Sequence, residues 1–441
     1  MPAVPTPHFA YVFERFPSFT QTFCAREVLE LQRQGTRLLL FSIRDTRREA
    51  LQHFPASLAN QVITLPPPDA LAREVEALKQ QHLLPQPLVL ALRHWGQKPD
   101  KARLYEAAWI GQKLRAARVH HVHTHFAGLA ARTAWWIRHT YGPSYSFTGH
   151  ANDLFCPDDS SDLKLPRLIA DAAAIIAVSD YSAHWLRLHH PASAARIHRV
   201  YNGLDLDPFL PPAPSPASPP LLLSVGRLIE KKGFADLIDA CALLRDQAIP
   251  FQCRIVGDGP LHLDLAARIA AANLHSHVAL TGPLPQPDII RLLAQAALFV
   301  LPCVTEATGG RDVLPTVLME AMAAALPCVS TPIAGVPEMV LPGQTGLLVP
   351  PRDPAALAAA LASLLADPPA ARRLGQAGLA LAHARFAKAA TAAQLRLLLT
   401  AFGRLNGPPL SWALAAAHAR RLLRSAAPPL RFTPAKTAVF P

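Results

Sequence analysis

The 441-residue sequence holds no uninterrupted run of 18 apolar residues, although 51% of it is hydrophobic. A membrane-spanning helix is therefore not expected. Charged residues are few, at 17%, but the apolar content is too high for a disordered chain, which has little to bury. The start, MPAVPTPHFAYVFERF, lacks a basic segment leading into an apolar one, and Glu14 and Arg15 interrupt it. It does not read as a secretory signal. Cys24, Cys156, Cys241, Cys253, Cys303 and Cys328 include no CxxC pair. Free thiols in a reducing compartment are expected, not a disulfide frame or a zinc site.

Acids are also short against bases, 31 to 43, which leaves a net charge of +12. Such a chain attracts anions: nucleic acid, an acidic membrane surface or phosphate-bearing substrates. The bases are dispersed over residues 96–121 and over a tail from Ala401 that carries Arg404, Arg420, Arg421, Arg424, Arg431 and Lys436 without an acid. No basic motif is interleaved with aromatics, so nucleic acid is not an expected partner. General solubility and contact with an anionic membrane surface both remain as readings.

What is present is alternation. "HFAYVFERF", "RLLLFSIR", "VHHVHTHF", "SYSFTG" and "AAIIAVS" read as strands separated by helical stretches, the first of which ends at Gly35. "PPAPSPASPP" (Pro211 to Pro220) is an extended linker. Beyond it "PLLLSVGR", "FQCRIVG", "HVALTG", "ALFVLPC", "PCVSTP" and "GLLVP" repeat the strand-and-helix pattern, and the stretch from Asp353 to Leu405 reads as almost wholly helical. The expected fold class is α/β: two parallel sheets covered by helices, facing each other across a cleft. The expected divisions are 1–210, linker 211–220, 221–390, and 391–441. The last part either returns to the first domain or lies on a membrane through "SWALAAAHARRLLRSAAPP".

Chemistry concentrates in "GGRDVLPTVLMEAMA" (Gly309 to Ala323). A strand leads into a glycine-rich loop and then into a helix, with Pro315 in its first turn and its stop before Pro327. Free N–H groups and the helix dipole at such a terminus favour phosphate. Asp312 and Glu320 would stand roughly 12 Å apart at 1.5 Å per residue. That is too far for an acid and base on one bond, but it suits the two ends of a polar ligand with phosphate between. A capping Asp and a solvent-facing Glu is the plainer alternative. Arg227 and Lys232, in "SVGRLIEKKGF", are cations at a strand end that can neutralise a diphosphate leaving group. His121, His123 and His125 share one strand face. No acid nearby in sequence completes a metal site, and none is expected.

These pieces occur in one order: "SVGRLIEKKGF", "IVGDGP", "LTGPLP", "ALFVLPC", "LPTVLMEAMAAALPCVSTPIAGVPEMV" and "GQTGLLVPP". The chain thereby resembles the retaining transferases of glycosyltransferase family 4, which have the GT-B fold of two Rossmann-like domains. "RFPSFTQTFCAREVLEL" and "HVHTHFAG…SFTGHANDLF…VYNGLDLDPF" are similar to the subgroup that builds colanic acid and other exopolysaccharides. The resemblance implies that Glu320 binds the donor ribose and that Asp312, where the family has Glu, reaches the donor sugar. It implies a diphosphate pair in Arg227 and Lys232, and donor contacts from Gly226, Gly257 and Leu284. Gly309, Gly310, Leu314, Pro315, Thr316 and Val317 would line the same donor. His150 matches a histidine beside the reacting sugar, with Asp153 near enough to assist. Ser18, Thr20 and Gln21 replace a glycine-rich loop and, with His125, are placed on the acceptor side.

The expectation is a cytoplasmic enzyme, peripheral on the inner membrane face. It would move a sugar from a nucleotide diphosphate sugar to a lipid-linked saccharide with anomeric retention, and it would need no cofactor or metal. A catalytically silent nucleotide-sugar-binding partner and a sugar-nucleotide epimerase of the same architecture are the alternatives. The second would need acid–base carboxylates of its own in the first domain.

Overall fold

A computed structural model describes residues 8–18, 21–95, 100–157, 161, 163–209 and 217–403. Thr20, residues 211–216 of the proline-rich stretch and the basic tail beyond Gly403 lie outside the described residues.

Among the described residues two sheets form. The first holds β1 (Phe9–Arg15), β2 (Leu38–Arg44), β3 (Val62–Thr64), β4 (His121–His125), β5 (Ser144–Gly149), β6 (Ala174–Ala177) and β7 (Ile197–Arg199), in the order 3-2-1-4-5-6-7. The second holds β8 (Leu221–Val225), β9 (Gln252–Val256), β10 (Val278–Gly282), β11 (Leu298–Leu301), β12 (Cys328–Ser330) and β13 (Gly346–Leu348), in the order 10-9-8-11-12-13. Every pairing is parallel. Parallel strands need covering on both faces, and β4, β5, β8 and β11 are buried along their whole lengths. In each sheet the order of winding reverses beside the first strand, between β1 and β4 and between β8 and β11. Ligands of open α/β sheets bind beyond the strand C-termini at such reversals.

The expected strands are present, and the expected first helix runs Thr22–Arg33 with Gly35 in a left-handed turn (φ 80°). The helix after the glycine-rich loop is shorter than expected. It spans Thr316–Ala323, and Pro315 precedes it with an extended ψ of 112°. Having no N–H, Pro315 closes the loop and leaves the first helical amides to its successors. The chain turns out of the helix at Ala325, which is left-handed at φ 55°.

The final helical stretch breaks into Pro354–Ala366, Pro368–Phe386 and Lys388–Gly403. The first two meet at 103°, and among the described residues no single helix is long and apolar enough to cross a membrane. The third leaves the second domain. Its Ala392, Leu395, Leu398, Leu399 and Phe402 are buried with Phe9, Tyr11, Phe13 and Phe16 of the first. Each such leucine contributes about 2 kcal/mol by burial. The chain therefore crosses between domains twice, and the crossings touch: Leu204 N–H donates to Phe386 O at 2.8 Å and Lys388 N–H to Leu204 O at 3.0 Å.

Candidate functional site

Both winding reversals open toward each other. On the second domain, β8 ends in a turn carrying Gly226 and exposed Arg227, then a short helical turn, Glu230–Lys232. A Cβ on Gly257 (φ 140°) would lie 1.9 Å from Gly226 O, so only glycine lets these two strand ends meet. Gly233 is required in the same way, since a Cβ there would stand 1.8 Å from Pro302 O. That close approach presses Lys231 and Lys232 against the loop after β11.

There they meet Asp312. Lys232 Nζ lies 2.5 Å from Oδ2 and Lys231 Nζ 3.4 Å from Oδ1. Burial disfavours each charge, but the pairing wins on both sides. Asp312 is held below its usual range by Lys232 and Lys231, and Lys232 is held above its own by Asp312, while nearby Arg227 opposes it. The carboxylate expected to reach a sugar is thus already bound to two cations. Glu320, the fifth residue of the next helix and about one turn into it, differs. Desolvation raises it to about 7 and Arg26 of the first domain only partly offsets that. Arg26 Nε is buried without a partner among the described residues. Leu314 and Pro315 are buried beneath the loop, Thr316 and Val317 are partly exposed at the helix start, and Leu284 packs on the core.

The glycine-rich loop faces the first domain directly. Cys156 Sγ lies 3.4 Å from Thr308 O and would lie 3.9 Å from a Cβ on Gly309. Arg311 stacks over Phe155 at 4.9 Å and donates to Tyr181 Oη at 3.0 Å. The Glu338 carboxylate accepts from the N–H groups of Asp180 and Tyr181, both at 2.8 Å, so an acid of one domain caps a helix of the other.

His150 follows β5 directly, ahead of the short helix Asn152–Phe155 whose Phe155 meets Arg311. Asp153 does not face an acceptor. Its carboxylate accepts backbone N–H groups from Ala127, His150 and Ala151 at 2.8 to 3.1 Å, which fixes the turn that carries His150. Ser18 is likewise withdrawn, being buried and donating to Glu49 Oε1 at 3.0 Å. Gln21 and His125 do share a cavity of about 240 Å³ with Phe13, Arg15 and Phe126.

The histidine strand receives an acid from outside its sequence neighbourhood. Glu27, on the helix Thr22–Arg33, brings its Oε1 to 3.0 Å from His125 Nε2. Glu27, His123 and His125 place ligand atoms within 4.8 Å of one another. Yet His123 bonds Ser146 and Thr148 through both nitrogens, and His125 bonds His150 and Glu27 through both of its own. A cation would have to displace these bonds. His121 is similarly engaged by Ser144 and Ser146 and stacks on Phe402.

Glu27, Arg26, Lys231 and Arg311 are site residues without a sequence signal of their own. Charged positions in a helix or loop are ordinary, and only the packing of the two domains brings these to one place.

Residues 210–380 match the family described as Glycosyl transferases group 1, and residues 20–208 match Glycosyltransferase Family 4. The putative colanic acid biosynthesis glycosyltransferase WcaL of Escherichia coli is 41% identical over 162 residues, 36% of this chain and 40% of that protein. The amylovoran biosynthesis glycosyltransferase AmsK of Erwinia amylovora is 33% identical over 274 residues, 61% of this chain and 67% of that protein. The matched part of the chain thus spans less than half of the first relative and two thirds of the second. Among solved structures, HepE of Anabaena in complex with UDP superposes with a TM-score of 0.66 at 19% identity, covering 89% of this chain and 99% of that one. That likeness shows the fold, which is GT-B.

Proposed function

The chain belongs to the group 1 glycosyl transferases, and we propose that it moves a hexose from a nucleoside diphosphate sugar to a saccharide hydroxyl with retention at the anomeric carbon. The observation that carries this reading is the contact of Lys231 and Lys232 with Asp312 at the winding reversal of the second sheet, with Arg227 near Lys232 and Glu320 on the helix that follows.

Glu320 takes the ribose hydroxyls, for which a buried carboxylate is a strong acceptor. The diphosphate lies against Lys232, Arg227 and the amides that open the helix Thr316–Ala323. The bond from the anomeric carbon to phosphate oxygen breaks as the acceptor oxygen bonds the same carbon. The acceptor proton passes to the departing phosphate oxygen, on the same face. His150 donates to the hexose, and Gln21 and His125 line the acceptor side. No residue is placed as a nucleophile, and the reaction needs no metal.

The relatives named for colanic acid and amylovoran biosynthesis support a polysaccharide as the product, and the acceptor in this reading is a lipid-linked saccharide met at the inner face of the membrane. The test is a panel of nucleotide sugars, screened first by thermal shift and then by transfer to lipid-linked saccharides. Stabilisation by one of them with transfer supports the reading. Stabilisation with neither transfer nor hydrolysis, by any donor and acceptor, overturns it in favour of a silent binding protein.

A further inference from the structure

His150 is held from three directions. Asp153 fixes its backbone. Phe23 and Phe126 flank its ring, with centroids 4.7 and 4.4 Å away. The third contact is a chain of hydrogen bonds. Tyr11 Oη donates to Glu27 Oε1 at 2.5 Å, His125 Nε2 lies 3.0 Å from the same oxygen, and His125 Nδ1 lies 3.0 Å from His150 Nε2.

We infer that Glu27 and His125 are positioning residues that hold His150 in its Nδ1–H form, so that the ring offers the donor sugar one fixed N–H. This rests on the reading above that His150 faces that sugar.

The argument is one of protons. Glu27 carries only acceptors, so His125 must donate to it from Nε2. Between His125 Nδ1 and His150 Nε2 there is room for a single proton. If His125 is an imidazolium, that proton is its own. His150 Nε2 then accepts, and a neutral His150 keeps its hydrogen on Nδ1. If His125 is neutral, its hydrogen is on Nε2 and its Nδ1 accepts. His150 must then donate from Nε2, and its free nitrogen becomes an acceptor. The charge on His125 thus decides which kind of group His150 shows to a ligand.

The surroundings favour the charged form. The groups facing His125 are Tyr11 and Phe13 from β1, Phe23, Cys24 and Glu27 from the helix, His123 on its own strand, and His150. Only Glu27 among them brings a charge, because burial raises the Cys24 thiol and lowers His123 and His150. Burial alone would lower His125 too, but Cys24 and Glu27 raise it above its ordinary value. Since the thiol stays protonated, the carboxylate is the effective partner.

Imidazole ¹⁵N correlation spectra of the full chain at pH 7 test this directly. The expected result is protons on both nitrogens of His125 and on Nδ1 alone of His150. Glu27→Gln should remove the His125 charge and move the His150 proton to Nε2. It should lower kcat by roughly tenfold or more, the factor that about 1.4 kcal/mol of lost transition-state stabilisation gives, while affinity for the free nucleoside diphosphate stays within about twofold. Glu27→Asp should restore part of both. A wild-type His150 protonated on Nε2 overturns the inference. So does a Glu27→Gln chain that keeps the Nδ1–H form and merely melts earlier. Where that variant does not fold, the wild type carries the test: the protonated nitrogen of His150 should switch as pH rises above the ordinary imidazole range, and no switch up to the pH of unfolding refutes it. Because the spectra need no substrate, a chain with the expected protons but no transfer would disprove the proposed function and leave this tautomer intact.

Discussion

The Lys232 ammonium and the Asp312 carboxylate stand 2.5 Å apart in a nearly closed setting, their side chains 13% and 15% exposed. The cation assigned to a diphosphate and the acid assigned to a sugar therefore hold each other. A donor has to exchange that contact for its own, with the diphosphate competing for Lys232 and the sugar hydroxyls for Asp312. Having one methylene fewer than Glu, Asp312 sits back toward the lysines.

Asp312→Asn should separate two effects. Removing one partner of a buried ion pair costs roughly 3–5 kcal/mol when burial is complete, and less here because some solvent reaches both groups. The melting temperature should fall, and calorimetry should show the free nucleoside diphosphate binding more tightly, since its competitor is gone. Transfer should drop. Unchanged or weaker nucleotide binding would mean that Lys232 does not meet the diphosphate.

Lys232→Ala and Arg227→Ala should each lower turnover by roughly 10² to 10³, the usual scale for a lost charge-stabilising group. Neither should prevent folding, and activity should persist in EDTA. Turnover within a few-fold of wild type in both variants, or loss in EDTA reversed by a divalent ion, would refute this account of the leaving group.

Glu320 predicts a pH dependence of binding. Desolvation raises it to about 7, whereas ribose hydroxyls donate to the ionised form and should lower it again. Binding then favours the deprotonated acid, so nucleoside affinity should weaken as pH falls from 8 to 6. A nucleoside without phosphates isolates this effect, and Glu320→Gln should flatten it. A slope that survives in the Gln variant assigns it elsewhere.

His125 predicts a pH dependence of stability with the opposite sense. Its folded value lies above the ordinary 6.5. The stabilisation is fully present below 6.5, declines above it, and is gone once pH passes the folded value. Urea midpoints of wild type should therefore decline over that window more steeply than those of Glu27→Gln. Parallel curves would place the charge on another group.

Much of this was legible in the sequence because it is local. Strand runs and the order of the second-domain motifs indicate two parallel sheets. β3 and β7, the two outer strands of the first sheet, were not read from the sequence, and they form by pairing with the edges of β2 and β6. Asp153 shows the limit at the site. Its proximity to His150 in sequence was informative, but its role was not, because three backbone N–H groups take its carboxylate. The acid beside His125 was invisible for the converse reason. Glu27 stands 98 residues away in the chain and is brought there by the docking of its helix on the sheet.

The paired crossings at Leu204 and Lys388 act as a butt hinge with two leaves of chain. A single tether would let one domain swivel freely about it. Two tethers bonded side by side define an axis, and leave opening and closing about that axis as the soft motion. The contacts of Glu338 and Arg311 with the far domain then work as a latch. Nor can either half be obtained by cutting once. A fragment ending before the linker would lack the helix Lys388–Gly403 and expose Phe9, Tyr11 and Phe13, which that helix covers.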